Sequence, residues 1–219
     1  MAGRSVSVQR LCDKGIIAVV RAKSGEQLIE VAGALRSGGV DCIEITMTTP
    51  NALKVIADCR KAMGQTALIG VGSVLDAATA RKAIAAGAQF VVSPIFSPEV
   101  IAAAHDADLP CVPGALTPTE IVNAANAGAD LVKVFPAGQF GPSYFKDILA
   151  PMPHLKLTPT GGVDLGTAAD WIAAGAVTLG VGSALVTKKA LAEGDFAEIQ
   201  RLAAQFVRLV AEARAARKV

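Results

Sequence analysis

Ala127-Gly128-Ala129-Asp130-Leu131-Val132-Lys133-Val134-Phe135-Pro136 contains the unit from which this chain is built. Gly128 stands where a helix C-terminus needs a left-handed residue, and the apolar, β-branched run at 131–135 then reads as a strand. Outward from it the same order recurs: apolar run, turn, Ala-rich amphipathic stretch, glycine. The runs lie at 16–20, 42–46, 67–71, 90–93, 110–113, 131–135, 155–160 and 177–181. Further helix ends read from Ser37-Gly38-Gly39, Ala86-Gly87-Ala88 and Ala174-Gly175-Ala176. Helix starts read from Ser97-Pro98-Glu99 and Thr117-Pro118-Thr119-Glu120, with proline at the first helical position.

Eight units at a spacing of roughly 20 to 26 residues, with no linker between them, predict a single (β/α)8 TIM-barrel domain over residues 1–219. An N-terminal extension of about eleven residues and a C-terminal segment at 195–217 lie outside the units. The latter places Ile199, Leu202, Phe206, Leu209 and Val210 at helical spacing and predicts a final helix. The other reading is an open doubly wound sheet. That fold calls for a Gly-rich dinucleotide loop after its first strand, and Val20-Arg21-Ala22-Lys23 is not one.

The chain is 52% apolar and 18% charged, which supplies a core and argues against disorder. Its 21 basic and 19 acidic residues leave a net charge of +2, and aromatics are 4%. Neither figure suits nucleic acid, which calls for a basic face or stacking platforms. No apolar run reaches membrane-spanning length, and Met1-Ala2-Gly3-Arg4-Ser5 lacks the apolar stretch of a signal peptide. Cys12, Cys42, Cys59 and Cys111 show no metal-ligand spacing and read as reduced thiols of a cytoplasmic protein.

Lys133 is the costly residue of its strand, because an unpartnered ammonium buried among apolar groups loses several kcal/mol or more. A neutral, partly buried amine is what Schiff-base chemistry on a carbonyl requires. The competing reading is a lysine whose stem packs in the core while its head reaches the rim. Strand alternation points Ile43 and Ile45 toward the helices and leaves Cys42, Glu44 and Thr46 inward. By the same parity Leu131, Lys133 and Phe135 face the interior, so Glu44 and Lys133 share it. A carboxyl beside an amine there makes a proton shuttle and a nucleophile as well as an ion pair. Its plainer role is a salt bridge that neutralises the lysine.

Arg21 ends the first strand and suits a carboxylate through bidentate bonding; the alternative is a solvated rim charge. Thr160-Gly161-Gly162-Val163 and Gly180-Val181-Gly182-Ser183 follow the seventh and eighth strands, where many barrels bind phosphate through backbone N–H groups. Gly70-Val71-Gly72-Ser73 and Ser93-Pro94 can shape the same pocket. The two histidines sit in a helical stretch (His105) and a turn (His154), away from strand C-termini, so a metal centre is not expected.

These motifs resemble the class I aldolases of 2-keto-3-deoxy-6-phosphogluconate (KDPG) and 4-hydroxy-2-oxoglutarate (KHG). The resemblance runs from about Gly15 to Val186. It rests on Ile43-Glu44-Ile45-Thr46, Ile69-Gly70-Val71-Gly72-Ser73, Val132-Lys133-Val134-Phe135-Pro136-Ala137, Pro159-Thr160-Gly161-Gly162-Val163 and Gly180-Val181-Gly182-Ser183. Gln139-Phe140-Gly141-Pro142 is typical of one branch. The resemblance implies that Lys133 forms the Schiff base and Glu44 is the general acid/base. It places Arg21 and Thr160 at the pyruvyl carboxylate, with Thr46 and Ser73 also against substrate and Pro94 and Phe135 as pocket walls. Gly161, Gly162, Gly182 and Ser183 would hold a phosphate. It further implies a homotrimer acting on a small 2-keto acid, with no metal or organic cofactor. Two departures stand out. Thr46-Met47-Thr48-Thr49 replaces a segment that carries an arginine in some relatives, so the carboxylate rests more on Arg21. Ser73 stands where threonine is frequent. The rival readings are the C4-epimeric phosphogalactonate aldolase, a phosphosugar isomerase or epimerase, and a non-catalytic binding protein.

Overall fold

The computed structural model describes residues 3–21 and 24–217, so Ala22 and Lys23 of the first loop lie outside the described residues. The first half alternates α1 (Arg4–Lys14), β1 (Ile16–Val20), α2 (Gly25–Ser37), β2 (Cys42–Thr46), α3 (Ala52–Met63), β3 (Leu68–Gly72), α4 (Ala77–Ala85), β4 (Val91–Val92) and α5 (Pro98–His105). The second half runs β5 (Cys111–Val112), β6 (Gly114–Ala115), α6 (Pro118–Asn126), β7 (Val132–Val134), α7 (Pro142–Leu149) and β8 (Leu157–Pro159). It finishes with α8 (Ala168–Ala173), β9 (Leu179–Val181), α9 (Lys188–Glu193) and α10 (Phe196–Arg217).

Every strand pair is parallel. The strands form a curled six-stranded sheet, β5-β4-β3-β2-β1-β9, and a three-stranded sheet, β6-β7-β8. All eight apolar runs therefore become strands, and just past the fifth, beyond Pro113, which has no N–H to give a ladder, a further short strand, β6, begins the second sheet. Backbone bonds still reach across both seams. Gly114 donates to Ile95 O at 3.2 Å, Asp130 to Cys111 O at 3.1 Å, and Thr160 bridges Gly180.

The predicted punctuation does its work. Gly39, Gly87, Gly128 and Gly175 end their helices at φ 94°, 106°, 94° and 112°, a region that side chains avoid. Ser97 accepts from Val100 N, and Thr117 and Glu120 form a reciprocal capping box. Such caps contribute about 1 kcal/mol each.

Apolar residues separate into two bodies. One contains Ile43, Ile45, Val132 and Val134 and lies between sheet and helices. The other, inside the curl, contains Leu11, Ile17, Cys42, Leu68, Phe90, Val92, Val112 and Leu131. The inward and outward parity expected for β2 and β7 is the one found. Leu11 comes from α1, so the N-terminal residues are more than an extension: they form a helix that inserts a fully buried side chain beneath the strands. Burial of one leucine is worth about 1.5–3 kcal/mol.

The final helix packs on α8 and α2 with Ile199, Leu202, Ala203, Phe206 and Val210 buried, while Leu209 is only partly so. Arg214 then crosses underneath, donating to the carbonyls of Asp13 at 2.6 Å, Cys12 at 2.5 Å and Val177 at 2.8 Å. His105 is more than a helix-surface residue. Its ring is half-buried 3.2 Å from Asp130, which also accepts from Arg4 and from Cys111 N.

Candidate active site

The upper part of the interior holds polar side chains where the lower part holds Leu, Val and Phe. Lys133 in β7 is 6% exposed and Glu44 in β2 is 3% exposed. Neither side chain hydrogen-bonds or pairs directly with another described residue, so the expected Glu44–Lys133 ion pair is absent as a direct contact. The two charges are still felt across the interior. Burial pushes the Glu44 carboxyl above its ordinary range, and the positive charges of Lys133 and Arg21 pull it partly back. The Lys133 Nζ lies 5.2 Å from the centre of the Phe135 ring, which roofs it.

Glycines on neighbouring strands leave room for the polar side chains Glu44 and Thr160. A Cβ on Gly72 would overlap the Glu44 carboxylate and come within 2.6 Å of its Cγ. A Cβ on Gly180 would overlap Thr160 Oγ1. Gly70 lies flat beneath the Phe90 ring. Just above, Ser73 adopts φ 60°, uncommon for a residue with a side chain, and it turns the chain over the end of β3.

A cavity of about 430 Å³ opens beside this interior. Arg21, Phe135, Thr160, Gly161, Gly162, Gly182 and Ser183 line it, which joins seven of the expected site residues. Gly161 and Gly162 take φ 84° and 78°, and Gly162 packs so closely on Gly138 that neither position admits a side chain. Five expected residues stand outside this lining: Glu44 and Lys133 deeper in, and Thr46, Ser73 and Pro94 toward the β2–β4 side. Thr46 shares a 2.8 Å hydroxyl–hydroxyl hydrogen bond with Thr48. Pro94 packs its backbone against Gly114. Val19, Val163, Gly180, Val186, Lys188 and Leu191 complete the cavity wall. Of these, Val163 and Gly180 fall within motifs quoted from the sequence. Lys188 was legible only as a basic residue shortly after the Gly180–Ser183 loop.

Another cavity, about 470 Å³, lies by Cys12, Val177 and Arg214. Its Arg214 is spent on backbone carbonyls, so the charge serves the fold. Among the described residues no group of three or more His, Cys, Asp or Glu could hold a metal ion. The four cysteines are unpaired, and burial raises each thiol, Cys59 and Cys111 to about 12. They are poor nucleophiles.

What a buried amine and a burial-raised carboxyl do together is attack a carbonyl and move the protons that follow, the chemistry of a class I lyase. A family model described as KDPG and KHG aldolase matches residues 8–202, and the chain belongs to that family. It is thus an aldolase, a carbon–carbon lyase. A 2-dehydro-3-deoxy-phosphogluconate aldolase of Treponema pallidum is 37% identical over 196 residues, covering 89% of this chain and 93% of that protein. A 2-dehydro-3-deoxy-6-phosphogalactonate aldolase of Escherichia coli is 34% identical over 171 residues, covering 78% and 83%. Among solved structures, a KDPG aldolase from Legionella pneumophila superposes with TM-score 0.84 at 27% identity, covering 90% of this chain and 96% of that one. That protein was captured with pyruvate as a covalent carbinolamine.

Proposed function

We propose that this chain reversibly cleaves 2-keto-3-deoxy-6-phosphogluconate to pyruvate and glyceraldehyde 3-phosphate, with 4-hydroxy-2-oxoglutarate as a second substrate. The observation that carries it is the buried amine of Lys133 facing the same interior as the buried carboxyl of Glu44. The amine of Lys133 adds to the C2 ketone, and loss of water from the carbinolamine gives an iminium. Glu44 takes the proton of the C4 hydroxyl. The C3–C4 bond breaks, its electrons flow into the iminium to form an enamine, and glyceraldehyde 3-phosphate departs. Glu44 returns the proton to C3, and water hydrolyses the iminium to pyruvate and free Lys133.

Arg21, unpaired among the described residues and close enough for Glu44 to feel its charge, binds the substrate carboxylate with Thr160. Thr46 and Ser73 line the approach, and Phe135 and Pro94 form its walls. Gly161, Gly162, Gly182 and Ser183 hold the phosphate through backbone N–H groups and one hydroxyl. The reaction needs no metal or organic cofactor.

The rest of the reading belongs to the same proposal. Chain 1–219 forms one domain, a (β/α)8 barrel closed by the seams at Pro113 and at Thr160–Gly180. Copies assemble as a homotrimer through apolar surface such as Leu75, Ile95 and Phe140. The enzyme works in the cytoplasm, where its four unpaired thiols stay reduced, on hexonate breakdown by the Entner-Doudoroff route.

Intact mass and peptide mapping after treatment with pyruvate and borohydride tests the chemistry. A reduced pyruvyl adduct on Lys133, absent in Lys133→Ala, is the expected result. A folded wild-type protein that takes no adduct would remove the mechanism. Assaying the gluconate and galactonate epimers side by side then reads the preference at C4.

A further inference from the structure

We infer that Lys188 is the specificity residue that selects a phosphorylated substrate, by setting its ammonium against the terminal phosphate. The inference rests on the aldolase reading of the same site and adds a residue that no motif contains. Lys188 is the first residue of α9, and its backbone is fixed by Thr187, whose hydroxyl accepts from Ala190 N at 3.0 Å. It lines the cavity formed by Gly161, Gly162, Gly182 and Ser183.

Its charge is uncommitted. Lys188 enters no ion pair among the described residues. The neighbouring Lys189 is outside the cavity lining, and its charge is felt instead by Glu198 on α10. Two basic side chains therefore border one cavity, and they differ in reach. Glu44 feels the charge of Arg21. Arg21 thus marks the end near the buried carboxyl, while Lys188 follows the turn at Gly182 and Ser183 of the same lining.

A ligand with an anion at each end fits that arrangement: a carboxylate next to the ketone and a phosphate on the last carbon. Backbone N–H groups alone bind a phosphate, but their strength comes from fixed dipoles. A lysine adds a full opposite charge, and a charge-assisted contact strengthens binding by roughly tenfold or more. The lysine is exposed, so this gain shrinks as salt rises.

The test compares kcat/KM for 2-keto-3-deoxy-6-phosphogluconate and for 2-keto-3-deoxygluconate, which differ only in the phosphate. Wild type, Lys188→Ala, Lys188→Arg and Lys189→Ala are assayed at low and high salt. Lys188→Ala is expected to lower kcat/KM for the phosphorylated compound about tenfold or more, through KM. The unphosphorylated compound should stay within twofold, Lys188→Arg should recover most of the loss, and Lys189→Ala should behave as wild type. Equal losses on both compounds would show a merely structural role and overturn the inference, as would no loss on either. A chain that turns over neither compound, or takes no pyruvate adduct, fails the aldolase reading without deciding this point. Titration with inorganic phosphate followed by 31P NMR decides it there. Weaker phosphate binding in Lys188→Ala than in wild type supports the inference, and unchanged binding defeats it.

Discussion

The lower and upper halves of the interior that the curled sheet encloses are built to opposite rules. Below, Leu11, Ile17, Leu68, Phe90, Val112 and Leu131 fill the space with apolar volume. Above, Glu44, Lys133, Thr158 and Thr160 are buried, and Gly72 and Gly180 lack the side chains that would crowd Glu44 and Thr160. Thr158 is the register partner of Lys133, yet its hydroxyl has no protein partner. The same strands run through both halves. Stability is thus gathered at the N-terminal ends of the strands and given up at their C-terminal ends, where the chemistry lies.

The sharpest way to break this contrast is Glu44→Gln, expected to slow turnover by about 10²–10⁴-fold. Glu44 also makes the contrast measurable through pH. Its folded-state carboxyl is raised above the ordinary 4.5, so the folded chain holds that proton more tightly than the unfolded chain. Stability from this group is present at acid pH and is lost as pH rises through the raised value. Glu44→Gln should therefore raise the thermal midpoint at pH 7 and lose that pH dependence. Accepting the C4 hydroxyl proton needs the ionised form, so the acid limb of wild-type kcat/KM should lie above pH 4.5. A Glu44→Gln protein less stable than wild type at pH 7 would contradict the account.

Gly72→Ala comes next. The added methyl must push the carboxylate aside, and a misplacement near 1 Å can cost about 10²-fold in rate. Borohydride trapping on Lys133 should persist while proton transfer, read by deuterium exchange into pyruvate, slows. Leu11→Ala addresses the other half. It should destabilise by about 2–5 kcal/mol in denaturant titration and leave kcat per folded molecule unchanged. The smallest effect is expected for Thr158→Val, which removes an unserved hydroxyl and should stabilise by about 1 kcal/mol.

The sequence carried the strands further than it carried their boundaries. The runs at 16–20 and 42–46 are strands from end to end, because alternation and β-branching there meet no competitor. The run at 110–113 shrinks to Cys111–Val112 because the prolines at its two ends have no N–H for the ladder. Inward parity located Glu44 and Lys133 because it depends only on neighbours along one strand. Distance in the chain hid the rest. Nothing near Leu11 says that it will fill the floor of the curled sheet. Gly72 becomes meaningful only once β2 lies beside it. Lys188 joins the cavity only because α9 folds back over the loop after β9. An ion pair between Glu44 and Lys133 was the natural guess from charge, yet the interior holds the two apart.

Arg214 gives the C-terminal helix a mechanical role. Its guanidinium hangs from three carbonyls, at Cys12, Asp13 and Val177, which belong to the approaches of the first and last strands. Tension applied to the end of the chain would reach those bonds before any strand ladder. They would act as a shear pin at the base, so a tethered or pulled molecule would first yield on the side away from Lys133.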